Sequence, residues 1–195
     1  TPCLKKYLTS RPRDITLDTI KLTNMSIYTA WAGSPGSLAS RPIQRVILDE
    51  VDKYPLFSGR ETDPVALARH RTTTYGHRKK IIIGSTPTTR EGPIHREYES
   101  CGDRRHYFVP CPKCNHPQRM IFTQVKYPPR ENKEKKIHAD NVMRDSLAYF
   151  QCERCEARIV ERDKPAMLAK GAWVSEVPGA RSPVVGFHIP ALISP

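Results

Sequence analysis

Two adjacent carboxylates end an apolar run in the amino-terminal part of the chain. Residues 46 to 50 read Val-Ile-Leu-Asp-Glu, so aliphatic side chains lead directly into Asp49 and Glu50. Such a run is typical of a strand buried on both faces, as in a parallel sheet. Carboxylates are costly there unless they bind a cation or act on water. The pattern is that of a Walker B motif, in which Asp49 would hold Mg²⁺ and Glu50 would polarise the attacking water. The plainer interpretation is a strand that ends in a solvated acidic turn.

Two hydroxyl side chains follow a second apolar run. Residues 81 to 83 are all isoleucine, and the chain then passes through Ser85, Thr86 and Pro87. Ligands of open parallel sheets bind beyond the carboxyl ends of the strands, so we expect Ser85 to share an edge with Asp49. The two hydroxyls could hydrogen-bond a γ-phosphate or the lytic water, although Ser-Thr-Pro is also an ordinary turn.

The elements around these residues follow from local signals. Asp63 ahead of Pro64 predicts a capped helix between the two runs, from Val65 to about Tyr75 and ending at Gly76. Strand, helix and strand form a βαβ unit, whose two strands are parallel.

Upstream of this unit, residues 18 to 31 predict a pair of strands broken at Thr23 and Asn24. The turn from Gly33 ends at Ser37, a candidate cap for a short helix around Leu38.

Four cysteines have the spacing of a metal site: Cys111, Cys114, Cys152 and Cys155. Each Cys-x-x-Cys pair follows an extended segment, so each predicts a knuckle at a hairpin tip. Four thiolates suit the tetrahedral preference of zinc, and a closed site of this kind is structural. The polar interval at residues 128 to 140 is predicted as a surface loop.

Other interpretations of the cysteines remain open. A thioredoxin-type redox pair would place its Cys-x-x-Cys at the start of a helix after a βαβ strand, which neither pair does. His106 and His116 lie close enough in sequence to be rival ligands. Cys3 and Cys101 have no Cys-x-x-Cys partner and are predicted to be ordinary thiols outside the cluster.

The charge and composition of the chain indicate which class of partner it binds. The 195 residues carry 32 Lys and Arg against 20 Asp and Glu, a net charge of +12. This excess favours a polyanionic partner, above all nucleic acid. No apolar stretch approaches ~18 residues and no signal peptide is evident, so we expect a soluble, non-secreted protein. In a reducing compartment, paired cysteines indicate metal rather than disulfides.

The remaining segments give weaker signals. Lys164 to Lys170 predicts a short helix capped by Asp163. Strands are expected at Trp173-Val174 and from Val184 to Ile189, with Trp173 and Phe187 in the core. A cluster of basic residues lies near the end of the predicted helix and before Ile81: Arg69, Arg71, Arg78, Lys79 and Lys80. Three roles remain open for this cluster: a solvated face, a contact with DNA phosphates, or an arginine finger for a neighbouring subunit.

Together these motifs resemble one family along nearly the whole chain. In order, they are Ala32 to Pro35, Arg41-Pro42, Val46 to Asp52, Gly84 to Pro87, Cys111 to Cys114, Cys152 to Cys155, Lys164 to Ala169 and Gly186 to His188. The set resembles the lambda-like, GpA-type phage terminase large subunit, a DNA-packaging motor with an ATPase domain and a nuclease domain.

The resemblance implies a fold and a set of roles. The fold would be α/β, a P-loop NTPase-type parallel sheet with an inserted zinc ribbon. Residues 1–104 would form the carboxyl-terminal part of the ATPase domain, 105–160 the zinc ribbon, and 161–195 the linker and start of the nuclease domain. Asp49 would bind Mg²⁺ with ATP, Glu50 would be catalytic, and Ser85, Thr86 and Pro87 would couple hydrolysis to DNA movement.

The resemblance also implies partners. These are double-stranded DNA, the terminase small subunit, the procapsid portal protein and further copies of the chain, in the bacterial cytoplasm and without a membrane. No Gly-x-x-x-x-Gly-Lys-Ser/Thr motif occurs in the sequence. We therefore expect the P-loop upstream of Thr1, the nuclease carboxylates downstream of Pro195, and no ATP hydrolysis by these residues alone.

Two other functions stay open. A superfamily 2 helicase would share a DExD-like box, here Asp49 to Asp52, and a Ser-x-Thr-like motif, but needs a second RecA domain. A non-enzymatic zinc-ribbon adaptor for nucleic acid would leave Asp49 and Glu50 as a plain strand end.

Overall fold

The computed structural model describes residues 5–9, 11–57, 63–128 and 135–193. The chain divides into two compact units, 1–96 and 97–195. None of the helices in the described part of the chain is long and apolar enough to span a membrane.

The first unit begins with a small hairpin. Strands β1 (Thr19–Lys21) and β2 (Ser26–Tyr28) pair antiparallel, with Ile20 opposite Ile27, which confirms the predicted pair of strands. A short 3₁₀ helix, Pro12–Asp14, precedes them.

Helix α1 (Pro35–Ala39) follows, and its cap differs from the prediction. The side chain of Ser34 is the N-cap and accepts from the Ser37 amide at 3.4 Å. Ser37 was expected to cap the helix, but it lies inside it because Pro35 already takes the first helical position.

A two-stranded parallel sheet occupies the middle of this unit. Strands β3 (Arg45–Asp49) and β4 (Lys80–Gly84) are in register from Arg45 opposite Lys80 to Asp49 opposite Gly84. This confirms the parallel arrangement of the two runs. Among the described residues no other strand joins them, so a larger P-loop-type sheet remains a prediction.

The connection between the strands contains helix α2 (Pro64–His70). As predicted, Asp63 caps it by accepting from the amides of Val65 and Ala66, each at 3.2 Å. The helix ends at His70 rather than near Tyr75, and a 3₁₀ segment, Thr73–Arg78, follows.

One face of this sheet packs against a helix, and the other face is exposed. Leu48 and Val51 are buried against α2, with Val65 and Ala68. On the opposite face Ile47 is 73% exposed and Ile82 is 48% exposed. The expectation of a strand buried on both faces is therefore wrong for the described residues.

The second unit is built around strand β5 (Asp103–Pro110). Its neighbours are β10 (Ala172–Ser175), which is antiparallel, and β11 (Val185–His188), which is parallel, in the order β10-β5-β11. The far end of β5 turns back into β6 (Pro117–Gln118).

A second small sheet completes this unit. Strands β7 (Val125–Lys126), β8 (Tyr149–Gln151) and β9 (Arg158–Ile159) are antiparallel neighbours. Helix α3 (Pro93–Glu99) leads into the unit, followed by α4 (Lys135–Arg144) and α5 (Lys164–Ala169). Short 3₁₀ helices lie at Phe122–Gln124, Glu161–Asp163 and Ala191–Ile193.

Three predictions for this unit are corrected. Helix α4 occupies part of the segment expected to be a surface loop, of which residues 129–134 lie outside the described residues. Asp163 makes no side-chain cap for α5, because its carboxylate accepts from the Val160 amide at 3.1 Å and closes the preceding 3₁₀ turn. Trp173 is 36% exposed and Phe187 50% exposed, so these rings meet edge to face at the surface and are not core.

The core of the second unit lies between the small sheets and α5. Its buried members are Val109, Cys111, Met120, Phe150, Cys152, Ile159 and Met167. Two cysteines therefore belong to the hydrophobic core itself.

Candidate functional site

The two Cys-x-x-Cys segments form matching knuckles. In the first, between β5 and β6, the Cys111 amide donates to the His116 carbonyl at 2.9 Å. In the second, between β8 and β9, the Cys152 amide donates to the Ala157 carbonyl at 3.0 Å. Each knuckle closes through a residue in the left-handed region, Asn115 at φ 57° in the first. The predicted hairpin-tip knuckles are confirmed.

The four sulfurs of the two knuckles converge. Sγ of Cys111 lies 3.8 Å from Sγ of Cys155, and Cys114 and Cys152 are separated by the same 3.8 Å. All four sulfurs lie within 4.8 Å of one another. A tetrahedron with metal–sulfur bonds of about 2.3 Å has edges of roughly 3.8 Å, so the site has the dimensions that zinc requires.

Electrostatics also favour a cation among these sulfurs. Burial raises the pKa of Cys111. Burial opposes ionisation of Cys152, but the amides of Cys155 and Arg154 outweigh it, with help from neighbouring thiols, and lower its pKa to about 6. The Ala157 amide favours the Cys155 thiolate, yet the other sulfurs raise its pKa to about 12. Four thiolates therefore repel one another, and a divalent cation would relieve that repulsion.

Gln118 holds the two knuckles together, a role that the sequence did not predict. It is fully buried on β6, and its Oε1 accepts from the Glu153 amide of the second knuckle at 3.0 Å. The same oxygen accepts from Nε2 of Gln124 at 3.4 Å. A glutamine four residues after a Cys-x-x-Cys gives no local signal, since its partner lies 35 residues away.

The rival ligands lie outside the cluster. Nε2 of His116 pairs with Glu153 at 2.9 Å, and His106 pairs with Glu176. Cys101 donates its thiol to the Glu97 carbonyl at 3.2 Å and is not part of the four-sulfur group. Cys3 lies outside the described residues. In the described part of the chain, the four cysteines are the one group of three or more Cys, His, Asp or Glu side chains close enough together to hold a metal ion.

The second candidate site lies at the carboxyl ends of β3 and β4. Asp49 is exposed at the last position of β3, opposite Gly84. Glu50 follows at φ 57° and ψ 43°, a left-handed conformation that costs a non-glycine residue roughly 1–2 kcal/mol. Its carboxylate lies 2.9 Å from Nζ of Lys53. Backbone strain of this kind occurs at functional sites when the surroundings hold it in place.

The side chain of Asp52 holds the loops at the carboxyl ends of β3 and β4 in place. Its carboxylate accepts from the Thr88 amide at 2.8 Å, the Thr88 hydroxyl at 2.9 Å and the Ile94 amide at 2.8 Å. The burial of Asp52 raises its pKa, but the bonds from Ile94 and Thr88 prevail and the pKa is lowered. The loop after β3 is thereby tied to the loop after β4 and to the start of α3.

The start of α3 explains why Asp52 is needed. Gly92 precedes Pro93 and has no side chain to cap the helix, so the Ile94 amide takes its cap from Asp52, 42 residues earlier. A Cβ on Gly92 would lie 2.5 Å from the Asp52 Oδ2 atom, so only glycine leaves room for the carboxylate.

The predicted coupling residues lie beside Asp52. The hydroxyl of Ser85 accepts from the Asp52 amide at 3.2 Å and donates to the Thr86 carbonyl at 3.2 Å. Thr86 and Pro87 are exposed. The two loops that follow β3 and β4 are thus joined by side chains, as expected for strands that end at one sheet edge.

The family described as phage terminase large subunit gpA, ATPase domain, matches residues 1–173. The chain belongs to this family. The matched residues contain both the β3/β4 edge and all four clustered cysteines. No curated protein and no solved structure matches the chain.

Membership in the terminase ATPase family confirms the resemblance that the sequence motifs indicated. It implies ATPase activity in a terminase motor, with ATP as the nucleotide and Mg²⁺ as its accompanying ion, and it implies DNA and phage packaging partners in general. These 195 residues have carboxylates of the type that Mg²⁺ prefers at the β3 end, and no P-loop motif occurs among them.

Proposed function

We propose that this chain supplies the Walker B strand, the coupling segment and a zinc ribbon to a terminase motor that packages double-stranded DNA into procapsids. Family membership is the observation that carries the proposal. It favours the terminase over the helicase and the zinc-ribbon adaptor.

In this proposal Asp49 offers a carboxylate oxygen to Mg²⁺, which would neutralise charge on the β- and γ-phosphates when bound with ATP. Glu50 accepts a hydrogen bond from the attacking water. Its strained backbone and its ion pair with Lys53 support this role, because both hold the carboxylate at the sheet edge.

Ser85, Thr86 and Pro87 would transmit the state of the nucleotide. The Ser85 hydroxyl accepts from the Asp52 backbone amide, and the Asp52 side chain caps α3. A shift near Glu50 would therefore reach Ser85 and α3 through one residue, Asp52. Cys111, Cys114, Cys152 and Cys155 would hold Zn²⁺ as a structural ion, since four protein ligands leave no open position.

The assembly follows from the same proposal. The part of the ATPase domain would comprise residues 1–104, and the zinc ribbon residues 105–160. The approach to a nuclease domain would comprise residues 161–195. The motor would work as a homo-oligomer on the portal protein, with the small subunit, in the cytoplasm of the bacterial host. An endonuclease domain of the same protein would cut the DNA.

The test is ATP turnover by a terminase large subunit that contains this chain together with a P-loop. Glu50→Gln should keep nucleotide binding and lose turnover by a factor on the order of 10²–10⁴, the usual contribution of a positioned general base. Asp49→Asn should lose both Mg²⁺ dependence and turnover.

Glu91→Gln removes an exposed carboxylate from the loop after β4 and is the matched control. Unchanged turnover in the Glu50 or Asp49 variant would remove the Walker B assignment. The 195 residues by themselves should not hydrolyse ATP, because a P-loop supplies much of the grip on the phosphates.

A further inference from the structure

Four cations gather at the amino ends of β3 and β4, the opposite end of the sheet from Asp49. They are Arg45, Arg78, Lys79 and Lys80, and we call them the basic edge. Arg45 and Lys80 are direct neighbours across the parallel pair. All four side chains are exposed.

Backbone hydrogen bonds hold these residues in place. The Lys80 amide donates to the Gln44 carbonyl at 2.9 Å, which joins the two strands just before the sheet begins. The Lys79 amide donates to the carbonyl of Gly76 at 3.4 Å, and Gly76 turns the chain at φ 51° and ψ −123°. The basic edge is therefore a fixed part of the βαβ unit.

Nothing in the described structure neutralises this charge. Within the described residues, no carboxylate forms an ion pair with any of the four. Residues 19–48 and 64–90, which contain the whole basic edge, include no Asp or Glu at all. In contrast, Arg104 and Arg105 of the second unit are paired with Glu99, Glu176 and Asp103.

We propose that the basic edge is a surface that binds the phosphate backbone of duplex DNA. Unpaired exposed cations release counterions from DNA when they contact phosphates, which gives sequence-independent affinity of the kind a translocating motor requires. The proposal rests on the terminase function proposed above and names the part of the chain that contacts DNA.

The same geometry argues against an arginine finger for the chain's own nucleotide edge. Four residue steps separate Arg45 from Asp49 along β3, roughly 13 Å at 3.3 Å per residue. A finger is one guanidinium directed at a transferring phosphate, whereas the basic edge mixes two lysines with two arginines on adjoining segments. A mixed, exposed surface fits many phosphates rather than one.

The test uses the 195-residue chain and a fluorescent duplex of random sequence. Binding is measured by anisotropy over a range of salt concentrations for wild type and for the triple variant Arg78→Gln, Lys79→Gln, Lys80→Gln. Each lost phosphate contact lowers the slope of log Kd against log salt by about 0.9, so the slope should fall by roughly 2–3.

The matched control removes the same charge elsewhere in the first unit. Lys5→Gln, Arg11→Gln and Arg13→Gln replace three exposed cations and should leave the slope within about 1 of wild type. An equal fall in both triple variants would show that net charge alone binds DNA and would overturn the proposal.

A second measurement keeps the proposal testable if the triple variant folds poorly. On the wild-type chain, DNA should protect Lys79 and Lys80 from acetylation, while the exposed Lys5 remains reactive. If DNA does not protect Lys79 and Lys80, the proposal that the basic edge binds DNA is wrong.

A loss of ATP turnover with unchanged DNA binding, in a terminase that includes a P-loop, would assign the basic edge to a neighbour's nucleotide instead and overturn the proposal. Neither result depends on Glu50 or Asp49, so the surface and the Walker B assignment fail independently.

Discussion

The two candidate sites of this chain differ in how much of each lies within these residues. The cysteine cluster has its four ligands in one unit, with all sulfurs within 4.8 Å. The β3/β4 edge has carboxylates and hydroxyls that we propose for a nucleotide site, and the 195 residues contain no P-loop motif. A closed metal site is therefore testable on this chain, whereas the proposed hydrolytic site needs residues from a P-loop segment.

The supports of the two sites differ as well. The cluster rests on two repeated knuckles joined by one buried side chain, Gln118. The β3/β4 edge rests on Asp52, whose carboxylate collects three hydrogen bonds from two other segments. Loss of metal should thus affect a whole module, while loss of Asp52 should loosen two loops.

Removal of zinc should have the largest effect. We expect the purified chain to contain one zinc ion, and a chelator or Cys152→Ser should destabilise the second unit by at least about 4 kcal/mol, the value for a metal present at a thousandfold its dissociation constant. Cys152 is 1% exposed in the core, so its loss also disturbs packing. Metal content and thermal unfolding measure the effect.

Cys101→Ser is the control for this experiment, because Cys101 lies outside the four-sulfur group. It should retain zinc and most of the stability. If Cys152→Ser keeps its metal and melts like the control, the cluster is not a zinc site.

Asp52→Ala should have an intermediate effect. Three hydrogen bonds to a charged carboxylate are lost, which should reduce the stability of the first unit by about 2 kcal/mol or more. Hydrogen exchange at the Thr88 and Ile94 amides should accelerate. Gly92→Ala should reproduce much of this change, because its Cβ would displace the Asp52 carboxylate.

The effect of Asp52 should also depend on pH. Its folded pKa is lowered from the unperturbed 3.8, so its contribution is complete above that pH and is lost as the pH falls through the folded pKa. The stability difference between wild type and Asp52→Ala should therefore shrink in acid. The double variant with Gly92→Ala should be less than additive; full additivity would show that Gly92 acts on something other than Asp52.

Residues that act through local signals were predictable from the sequence, and those that act over long separations were not. The Cys-x-x-Cys spacing and the capping pair Asp63-Pro64 are local, and both predictions hold in the structure. Asp52 and Gln118 bind partners 42 and 35 residues away. In sequence, Asp52 is marked only as the end of a DExD-like box and Gln118 is not marked at all, so neither long-range contact could be predicted.

The wrong predictions have a related cause. Trp173 and Phe187 were assigned to the core from residue type alone, but the β10-β5-β11 sheet leaves their rings on a surface that is open among the described residues. Ile47 and Ile82 are exposed for the same reason. Apolar pattern predicts which residues can be buried, and the partner element decides whether they are.

Replacement of the hydroxyls at the β4 end should have a smaller effect on stability. Ser85→Ala with Thr86→Ala removes the bond from the Asp52 amide to Ser85, worth about 1 kcal/mol. In a terminase that contains a P-loop, we expect DNA translocation to fall more than ATP hydrolysis. Thr89→Ala changes a nearby exposed threonine and is the control. Equal loss of both activities would indicate that Ser85 or Thr86 takes part in bond breaking.

Replacement of His116 should have the smallest effect and sharpens the definition of the cluster. His116 belongs to the first knuckle, but its ring nitrogen Nε2 pairs with Glu153, and the side chain of Glu153 is 45% exposed. An exposed pair of this kind contributes about 0–1 kcal/mol, so His116→Ala should change the unfolding temperature little. Its carbonyl, which accepts from the Cys111 amide, is retained in the variant. Zinc affinity, measured by competition with a chromophoric chelator, should stay within about threefold of wild type, a difference of roughly 0.7 kcal/mol.

Cys114→Ala, two residues earlier, removes a sulfur and should weaken zinc binding by several orders of magnitude. If His116→Ala weakens zinc as much as Cys114→Ala does, the metal takes a nitrogen ligand and the four-sulfur assignment is wrong.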